Sequence, residues 1–169
     1  MTESTDKEVA AFGRGLALTN GDLSFDNGEL TLVEGRENLW QGLQMMIETP
    51  FGSDVFNVEY GFDWTGVFTL PNTVGMAQDL IRLNLVKSVS QDNRIREIKD
   101  IAFDNDPHFF ELTAVKSRKD SRLEEGDLEV TSLEESKLIH RQFRRWQAVV
   151  VLTTILNTDE AVKLDGTGI

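Results

Sequence analysis

The chain has 169 residues, of which 40% are hydrophobic and 27% are charged, and its formal net charge is −12 at pH 7. This is the profile of one globular domain with its own core. The absence of cysteine excludes disulfides and thiolate metal sites, and the acidic surface disfavours nucleic acid as a partner. Since neither a secretion signal nor an apolar run of bilayer length is found, we expect assembly in the cytoplasm without membrane insertion.

The first part of the chain is rich in turn signals. Residues 1–11 are predicted to form a flexible leader, and residues 12–169 a single domain. Asn-Gly pairs accept the positive φ of tight turns, so the short apolar pieces between the turns favour short strands or a hairpin. Residues 29–33 alternate and predict a strand, and no internal repeat is apparent. The turn signals lie at 13–15, 20–22 and 26–28.

A first amphipathic helix is predicted over residues 36–49. Pro50 ends it, because the residue before a proline avoids the helical region. Gly52 then supplies a turn before a second strand over 54–58 and an aromatic-glycine corner over 60–64. The residues that fall on one face of the helix are Leu39, Leu43, Met46 and Ile47.

A second helix is predicted from Asn72 or Thr73, either of which is a plausible N-cap, to Val89. Its apolar residues wrap much of the circumference, which predicts burial on more than one side. Residues 117–145 are dense in charge and are interpreted as an exposed hairpin or insertion. The fold class is α+β, with two main helices packed on a mostly antiparallel sheet. The remaining strand candidates are 98–103, 109–115 and 146–156.

Residue patterns that carry chemistry are missing. His108 and His140 have no neighbouring histidine or cysteine, and neither a phosphate-binding loop nor a nucleophile elbow occurs. We therefore predict no catalytic residue, no cofactor and no metal.

One alternative is a cell-wall glycosidase, which needs two carboxyl groups about 5 to 10 Å apart. Four acids flank the aromatic-glycine corner, but a helix end, a strand start and a solvated rim also explain them. With 29 acids in the chain, some pair always looks suggestive. The four are Glu48, Asp54, Glu59 and Asp63.

The aromatic residues between positions 40 and 68 have core packing as their first interpretation. Tryptophan and tyrosine also anchor protein interfaces. Trp64 and Phe68 follow the corner on a predicted loop, so we expect these two side chains to be exposed partner contacts.

The order of these elements resembles that of the baseplate wedge and sheath-initiator proteins of contractile phage tails and contractile injection systems, also described as tail-lysozyme-like. The shared order is a short strand, a helix that opens with arginine or glutamate, a Thr-x-x-Gly turn, a strand and an aromatic-glycine pair. The similarity covers residues 28–103 directly and residues 108–160 by pattern alone. In this chain the pieces are Leu30–Val33, Gly35–Ile47, Thr49–Gly52, Phe56–Val58 and Glu59–Gly61.

The resemblance implies a structural part with an open sheet edge to which sheath subunits add a strand. It implies contacts with sheath protein, inner tube or hub proteins and other wedge proteins, in several copies around a six-fold baseplate. Within that expectation, Tyr60 and Gly61 are assembly contacts. The strand over 146–156, with Val150 near its middle, is the leading candidate for a central or edge strand that offers this edge.

The junction after the second helix departs from the family pattern. The family has Glu-Pro-Arg there, whereas this chain has Asp92, Asn93 and Arg94, which keeps the acid and the arginine but loses the proline. The resemblance implies an assembly role for Asp92 and Arg94, since a planar guanidinium suits carboxylates or carbonyls. The competing interpretation is that Arg94 caps the carbonyls at the end of the preceding helix. A generic acidic interaction domain remains a third possibility, and the sequence does not distinguish a virion tail from a cellular injection apparatus.

Overall fold

The computed structural model describes residues 2–19, 21–68, 74–104, 106 and 145–167. These residues form an α+β fold, as predicted. The helices are α1 (Thr2–Phe12), α2 (Arg36–Glu48), α3 (Trp64–Phe68) and α4 (Val74–Val89). The strands are β1 (Arg14–Leu16), β2 (Leu18–Thr19), β3 (Asp22–Leu23), β4 (Phe25–Asp26), β5 (Glu29–Leu30), β6 (Leu32–Glu34), β7 (Ile95–Phe103), β8 (Arg145–Thr154) and β9 (Asp159–Thr167).

Helix α2 lies where the sequence predicts it and buries the predicted face. Thr49, the residue before the proline, leaves the helical region at φ −82° and ψ 122°. Its backbone N–H and its hydroxyl both donate to the Met45 carbonyl, which closes the end of the helix. The four predicted core residues are at most 4% exposed: Leu39, Leu43, Met46 and Ile47.

Strands β7, β8 and β9 form one antiparallel sheet with β8 in the centre. One face of the sheet belongs to the main core, which also contains α2 and α4 side chains. The opposite face carries a small cluster of Ala102, Val149 and the partly buried Ala161. The strands predicted over 98–103 and 146–156 are confirmed, whereas β9 was not predicted.

The predicted leader is a helix in the structure. Helix α1 ends on Phe12, which is 3% exposed within the main core. Glu8 forms an ion pair of 2.7 Å with Arg36, and the Phe12 carbonyl accepts a bond of 2.8 Å from Asn38 Nδ2. These contacts with α2 stabilise a helix that the polar sequence alone does not predict.

The strand predicted over 54–58 is wrong, because this segment is a loop. Asp54 Oδ1 accepts the backbone N–H groups of Phe56 at 2.8 Å and Asn57 at 3.2 Å, a turn that competes with strand pairing. Phe56 is fully exposed and Val55 is 86% exposed. The apolar side chains of this segment are therefore exposed to solvent and do not form part of a core.

Helix α4 ends at Val89 as predicted, but it is not buried on several sides. Ile81, Leu85 and Val89 face the core, whereas Leu83 is 67% and Met76 is 56% exposed. The predicted N-cap at Asn72 or Thr73, the predicted strand over 109–115 and the charged segment over 117–144 lie outside the described residues, and residue 145 begins β8. Within the described part of the chain, no helix combines the length and apolar character that a membrane crossing requires.

Strands β1 to β6 form three short antiparallel pairs between α1 and α2. The pairs are β1 with β6, β2 with β3, and β4 with β5. Gln41 of α2 holds this unit by its side-chain amide, which accepts the Leu18 N–H at 2.9 Å and donates to the Leu16 carbonyl at 2.8 Å. The sequence predicts short strands here, but not that they come together as one unit.

Candidate assembly site

Gly61 is the tightest point of the aromatic-glycine corner. Its φ is +107°, and a Cβ at this position would lie 2.6 Å from the Thr49 carbonyl oxygen. The segment after Gly61 contacts the end of α2 here, because the Phe62 N–H donates to the Thr49 carbonyl at 2.8 Å. The Gly61 carbonyl in turn accepts the buried Ser88 hydroxyl of α4 at 3.0 Å. Gly61 is therefore a buried structural residue that joins the end of α2 to α4, and a direct partner contact there stays a prediction.

Trp64 is buried, which corrects the expectation that it is exposed. It is 6% exposed, and its indole N–H donates to the Ile47 carbonyl at 3.0 Å. Its ring centroid lies 4.6 Å from that of Phe62 and 5.8 Å from that of Trp146. Gly166 of β9 makes the space, since a Cβ there would collide with the Trp64 ring.

Phe68 is the last residue of α3, and its side chain lies outside the described part of the structure. Its partner contact stays a prediction. Short helix α3 begins at Trp64, after Asp63, whose Oδ1 accepts the Gly66 N–H at 2.8 Å. A capping carboxylate at this turn was the signal that residues 64–68 are helical and not an open loop.

Tyr60 is half-buried and packs against the main core. Burial, followed by the negative charge of Asp92, raises the pKa of the Tyr60 phenol above its usual 10.0. The Arg94 charge opposes this rise, and Asp54 adds to it. Tyr60 therefore lies near the Asp92 and Arg94 pair, which the sequence singles out separately.

Asp92 and Arg94 form a chelated ion pair inside this junction. The Arg94 Nη2 lies 2.6 Å from Asp92 Oδ2, and the Arg94 backbone N–H donates to Asp92 Oδ1 at 2.9 Å. Arg94 Nη1 also donates to the Phe12 carbonyl at the end of α1, at 3.3 Å. A Cβ at Gly42 would lie 2.8 Å from Arg94 Nη2, so this glycine lets the guanidinium cross α2.

These bonds change how Arg94 is interpreted. The helix whose carbonyl it reaches is α1, not the preceding helix α4 as the capping interpretation expects. The side chains of Arg94 and Asp92 are 26% and 16% exposed, so part of the pair still faces solvent. An additional contact of Asp92 or Arg94 with a partner protein stays a prediction.

Acid should remove the stabilisation that the Asp92 carboxylate provides. Burial alone would raise the Asp92 pKa, but the hydrogen bonds and charge of Arg94 bring it below its usual 3.8. A depressed pKa contributes stability above the unfolded-state value, and that stability is lost as the pH falls through the folded-state pKa. We expect the difference in unfolding free energy between wild type and Asp92→Asn to be constant above about pH 5 and to shrink below it. Urea unfolding at a series of pH values measures this difference, and a difference that grows towards acid would contradict the assignment.

Val150 lies in the centre of the three-stranded sheet. It pairs with Ile101 on one side and Val162 on the other, and its side chain is fully buried. Of the two places predicted for this strand, the structure shows the centre. Burial of Val150 contradicts a direct partner contact by its side chain, because the core already covers it.

The ladder shows which backbone groups of β9 point away from β8. The Gln147 carbonyl accepts the Asp104 N–H at 3.1 Å, so the backbone N–H and C=O groups of the odd-numbered residues of β8 point to β7. The N–H and C=O groups of the even-numbered residues of β8 then point to β9. In the regular register, Ala148 bonds with Leu164 and Val150 bonds with Val162. Lys163 therefore directs its N–H and C=O away from β8. The Asp165 carbonyl, which accepts Gln44 Nε2 at 3.1 Å, has the same orientation.

Three of the four carboxylates that the glycosidase alternative requires have structural contacts. Asp54 organises the 54–57 turn, and Asp63 caps the first turn of α3. Glu48 accepts a bond of 2.8 Å from Gln44 within α2, and Glu59 is exposed. Nothing in this arrangement favours the glycosidase over a structural role.

Comparison with known proteins identifies the family. The family described as contractile injection system sheath initiator matches residues 13–116, which is more than half of the chain. The matched range holds the three short strand pairs, α2, the glycine corner, α4 and β7. No curated protein matches the chain. The resemblance drawn from the order of the sequence elements is confirmed, and the chain belongs to the sheath-initiator family of contractile injection systems.

Proposed function

We propose that this protein starts sheath assembly by adding an extended segment of a sheath subunit to β9 of its three-stranded sheet. As a sheath initiator it is a structural component of a contractile injection system, and its family implies a place in the baseplate. The family match ends at residue 116, so the role of β9 is argued from the sheet itself.

The regularity of β9 is the observation that carries this proposal. All nine of its residues pair with β8 without a register shift. An added strand needs such an even row of N–H and C=O groups, because backbone bonds fix its register. Lys163, near the middle, presents its backbone groups on the outer side and has an exposed side chain.

Strand β7 is the other outer strand among the described residues, and it is a poorer template. Its register against β8 shifts twice, between Ile95 and Glu97 and between Ile98 and Asp100. Such irregularity is one way in which proteins discourage pairing at a sheet edge. Each outer strand has one outward carbonyl that is already bonded, that of Ile101 to Arg82 Nη2 at 3.4 Å and that of Asp165 to Gln44 Nε2 at 3.1 Å. The regular register is therefore what distinguishes β9 from β7.

We further propose that inner tube or hub proteins and other wedge proteins bind the remaining surface, in the several copies of a six-fold baseplate. A role in sheath initiation supports binding to these proteins, because the protein that starts the sheath must be attached to the baseplate on which the sheath grows.

Lys163→Pro is expected to impair sheath initiation. Proline removes the N–H that Lys163 directs away from β8, while the ladder bonds between β8 and β9 remain. Loss of one hydrogen bond, about 1 kcal/mol, corresponds to a decrease of about fivefold in sheath binding. Purified sheath subunits would be added to baseplate complexes that carry the variant, and sheathed particles would be counted by electron microscopy.

Two matched variants make the result specific. Lys163→Ala removes the same charged side chain but keeps the N–H, so sheath should form as on wild type. Lys99→Pro places a proline at an exposed lysine of β7, where the register is irregular and the side chain pairs with Asp159 at 2.7 Å, and it should also leave initiation intact. Normal assembly on Lys163→Pro, or a loss confined to Lys99→Pro, would contradict addition at β9.

A further inference from the structure

Residues 16–36 contain three consecutive units of seven residues. The units are 16–22, 23–29 and 30–36, and each has leucine first, leucine or phenylalanine third and glycine sixth. Chance similarity would leave the copies structurally unrelated. The structure instead gives each copy the same place in a three-fold arrangement.

A ring of backbone hydrogen bonds joins the second residues of the three units. The Ala17 N–H donates to the Thr31 carbonyl at 2.9 Å, and the Thr31 N–H donates to the Ser24 carbonyl at 3.0 Å. The Ser24 N–H closes the ring by donating to the Ala17 carbonyl at 2.9 Å. Three strand pairs radiate from this ring, so the unit has pseudo-three-fold symmetry.

The ring places six apolar residues on one face. Side chains two residues apart along extended backbone share a face, which links the end of one short strand to the start of the next, and directly opposed residues of an antiparallel pair share a face as well. The opposed pairs are Leu16 with Leu32, Leu18 with Leu23, and Phe25 with Leu30. We name these six residues the apolar face.

The apolar face is open to solvent. The exposed fraction is 63% at Phe25 and 57% at Leu32, and the first leucine of each unit is between 42% and 46% exposed. Leu18 is the one member of the apolar face that is half-buried. A contiguous exposed apolar group of this kind marks an interaction surface more often than a free surface.

Acidic residues border the apolar face. Asp22, Asp26 and Glu29 lie at the two hairpin ends and are exposed, whereas Glu34 is paired with Arg14 at 2.9 Å. This border attracts positive charge and repels anionic membranes and nucleic acid. A second copy of the chain would bring two acidic borders together, so the charge favours a different protein.

We propose that the apolar face binds another protein of the contractile particle, through a surface with an apolar centre and a border of lysine and arginine. Residues 16–32 and β9 are separate segments of the chain. This inference depends on the family assignment but not on strand addition to β9. Failure of one site therefore leaves the other testable.

Photo-crosslinking in assembled particles tests this contact. Benzoylphenylalanine would replace Phe25, and the same group at Leu83, 67% exposed on α4, would serve as the control position. We expect Phe25 to crosslink to another particle protein, at a peptide that contains apolar and basic residues. Crosslinks only to a second copy of this chain, or none above the level at Leu83, would overturn the proposal.

The affinity of this protein for the purified partner that the crosslink identifies gives the quantitative test. Phe25→Ser combined with Leu30→Ser should weaken affinity at least tenfold, and Asp22→Lys combined with Glu29→Lys should weaken it further as salt is lowered. Glu37→Lys, an exposed reversal on α2, is the matched control and should have little effect. Thermal unfolding confirms that each variant is folded. Affinity that is unchanged in both double variants, or that rises on reversal of the acidic border, would overturn the proposal.

Discussion

Gly61→Ala is expected to lower the free energy of unfolding by about 3 to 5 kcal/mol. Two costs add at this position. A φ of +107° is strained for any residue with a Cβ, and the new methyl group would lie 2.6 Å from the Thr49 carbonyl oxygen and 3.0 Å from the Pro50 carbonyl. Both carbonyls are already bonded, that of Thr49 to the Phe62 N–H and that of Pro50 to the Ser53 N–H, so a shift of either one weakens a hydrogen bond. Equilibrium unfolding in urea measures the loss.

Two other glycines separate the two costs. Gly52 also has positive φ, at +77°, but its nearest atom is 3.9 Å from a new Cβ, so Gly52→Ala should cost only about 1 kcal/mol. Gly75 in α4 has open space around it, and alanine there should be neutral or stabilise by up to about 1 kcal/mol. Similar losses at Gly61 and Gly52 would show that the close approach to Thr49 does not matter.

Arg94→Ala is expected to destabilise the fold by about 2 to 4 kcal/mol. The change leaves Asp92 partly buried without its cation and removes the donor to the Phe12 carbonyl at the end of α1. It also opens the space above Gly42. Chemical denaturation of the purified variant measures the effect, and amide hydrogen exchange should show faster exchange in α1, since Arg94 holds its last turn.

Arg14→Ala provides the matched control for this prediction. Arg14 and Glu34 also form an ion pair, at 2.9 Å, but their side chains are 62% and 40% exposed. Exposed pairs contribute between about 0 and 1 kcal/mol, so this variant should remain close to wild type. Equal losses for the two arginines would contradict a special role for the buried junction.

The parts of the fold that the sequence predicts are those with strong local signals. Helix α2 has apolar residues at helical spacing and a proline that ends it, and the β-branched run at Val149 to Val151 predicts a strand. Both signals are contained within about a dozen residues of chain. The family resemblance depends on the order of such segments and was confirmed for the same reason.

The incorrect predictions concern contacts between distant residues or local patterns that are weak or misleading. Trp64 is buried because Gly166, about a hundred residues later, leaves room for its ring, and no local pattern carries that information. The loop at 54–58 alternates like a strand, but Asp54 takes its N–H groups instead. Strand β9 was missed because Val162 and Leu164 alone carry its apolar alternation, between charged residues.

The seven-residue repeat had a visible sequence signal that was missed. Only the first, third and sixth positions match in all three units, and the first two units share asparagine at the fifth, so composition gives no indication. The shared glycine is the most useful sign, because Gly21, Gly28 and Gly35 all have positive φ. Three glycines seven residues apart, each five residues after a leucine, are therefore a signature of the ring.

The cluster of Phe62, Trp64 and Trp146 gives the protein an intrinsic fluorescence signal for core packing. Two of the three tryptophans, Trp64 and Trp146, lie in it with ring centroids 5.8 Å apart, one on α3 and the other on β8. Their emission depends on the polarity around the indoles, so separation of the helical layer from the sheet would shift it to longer wavelength. With the half-buried Trp40 replaced by phenylalanine, this fluorescence would follow the closure of the core during folding without any attached dye.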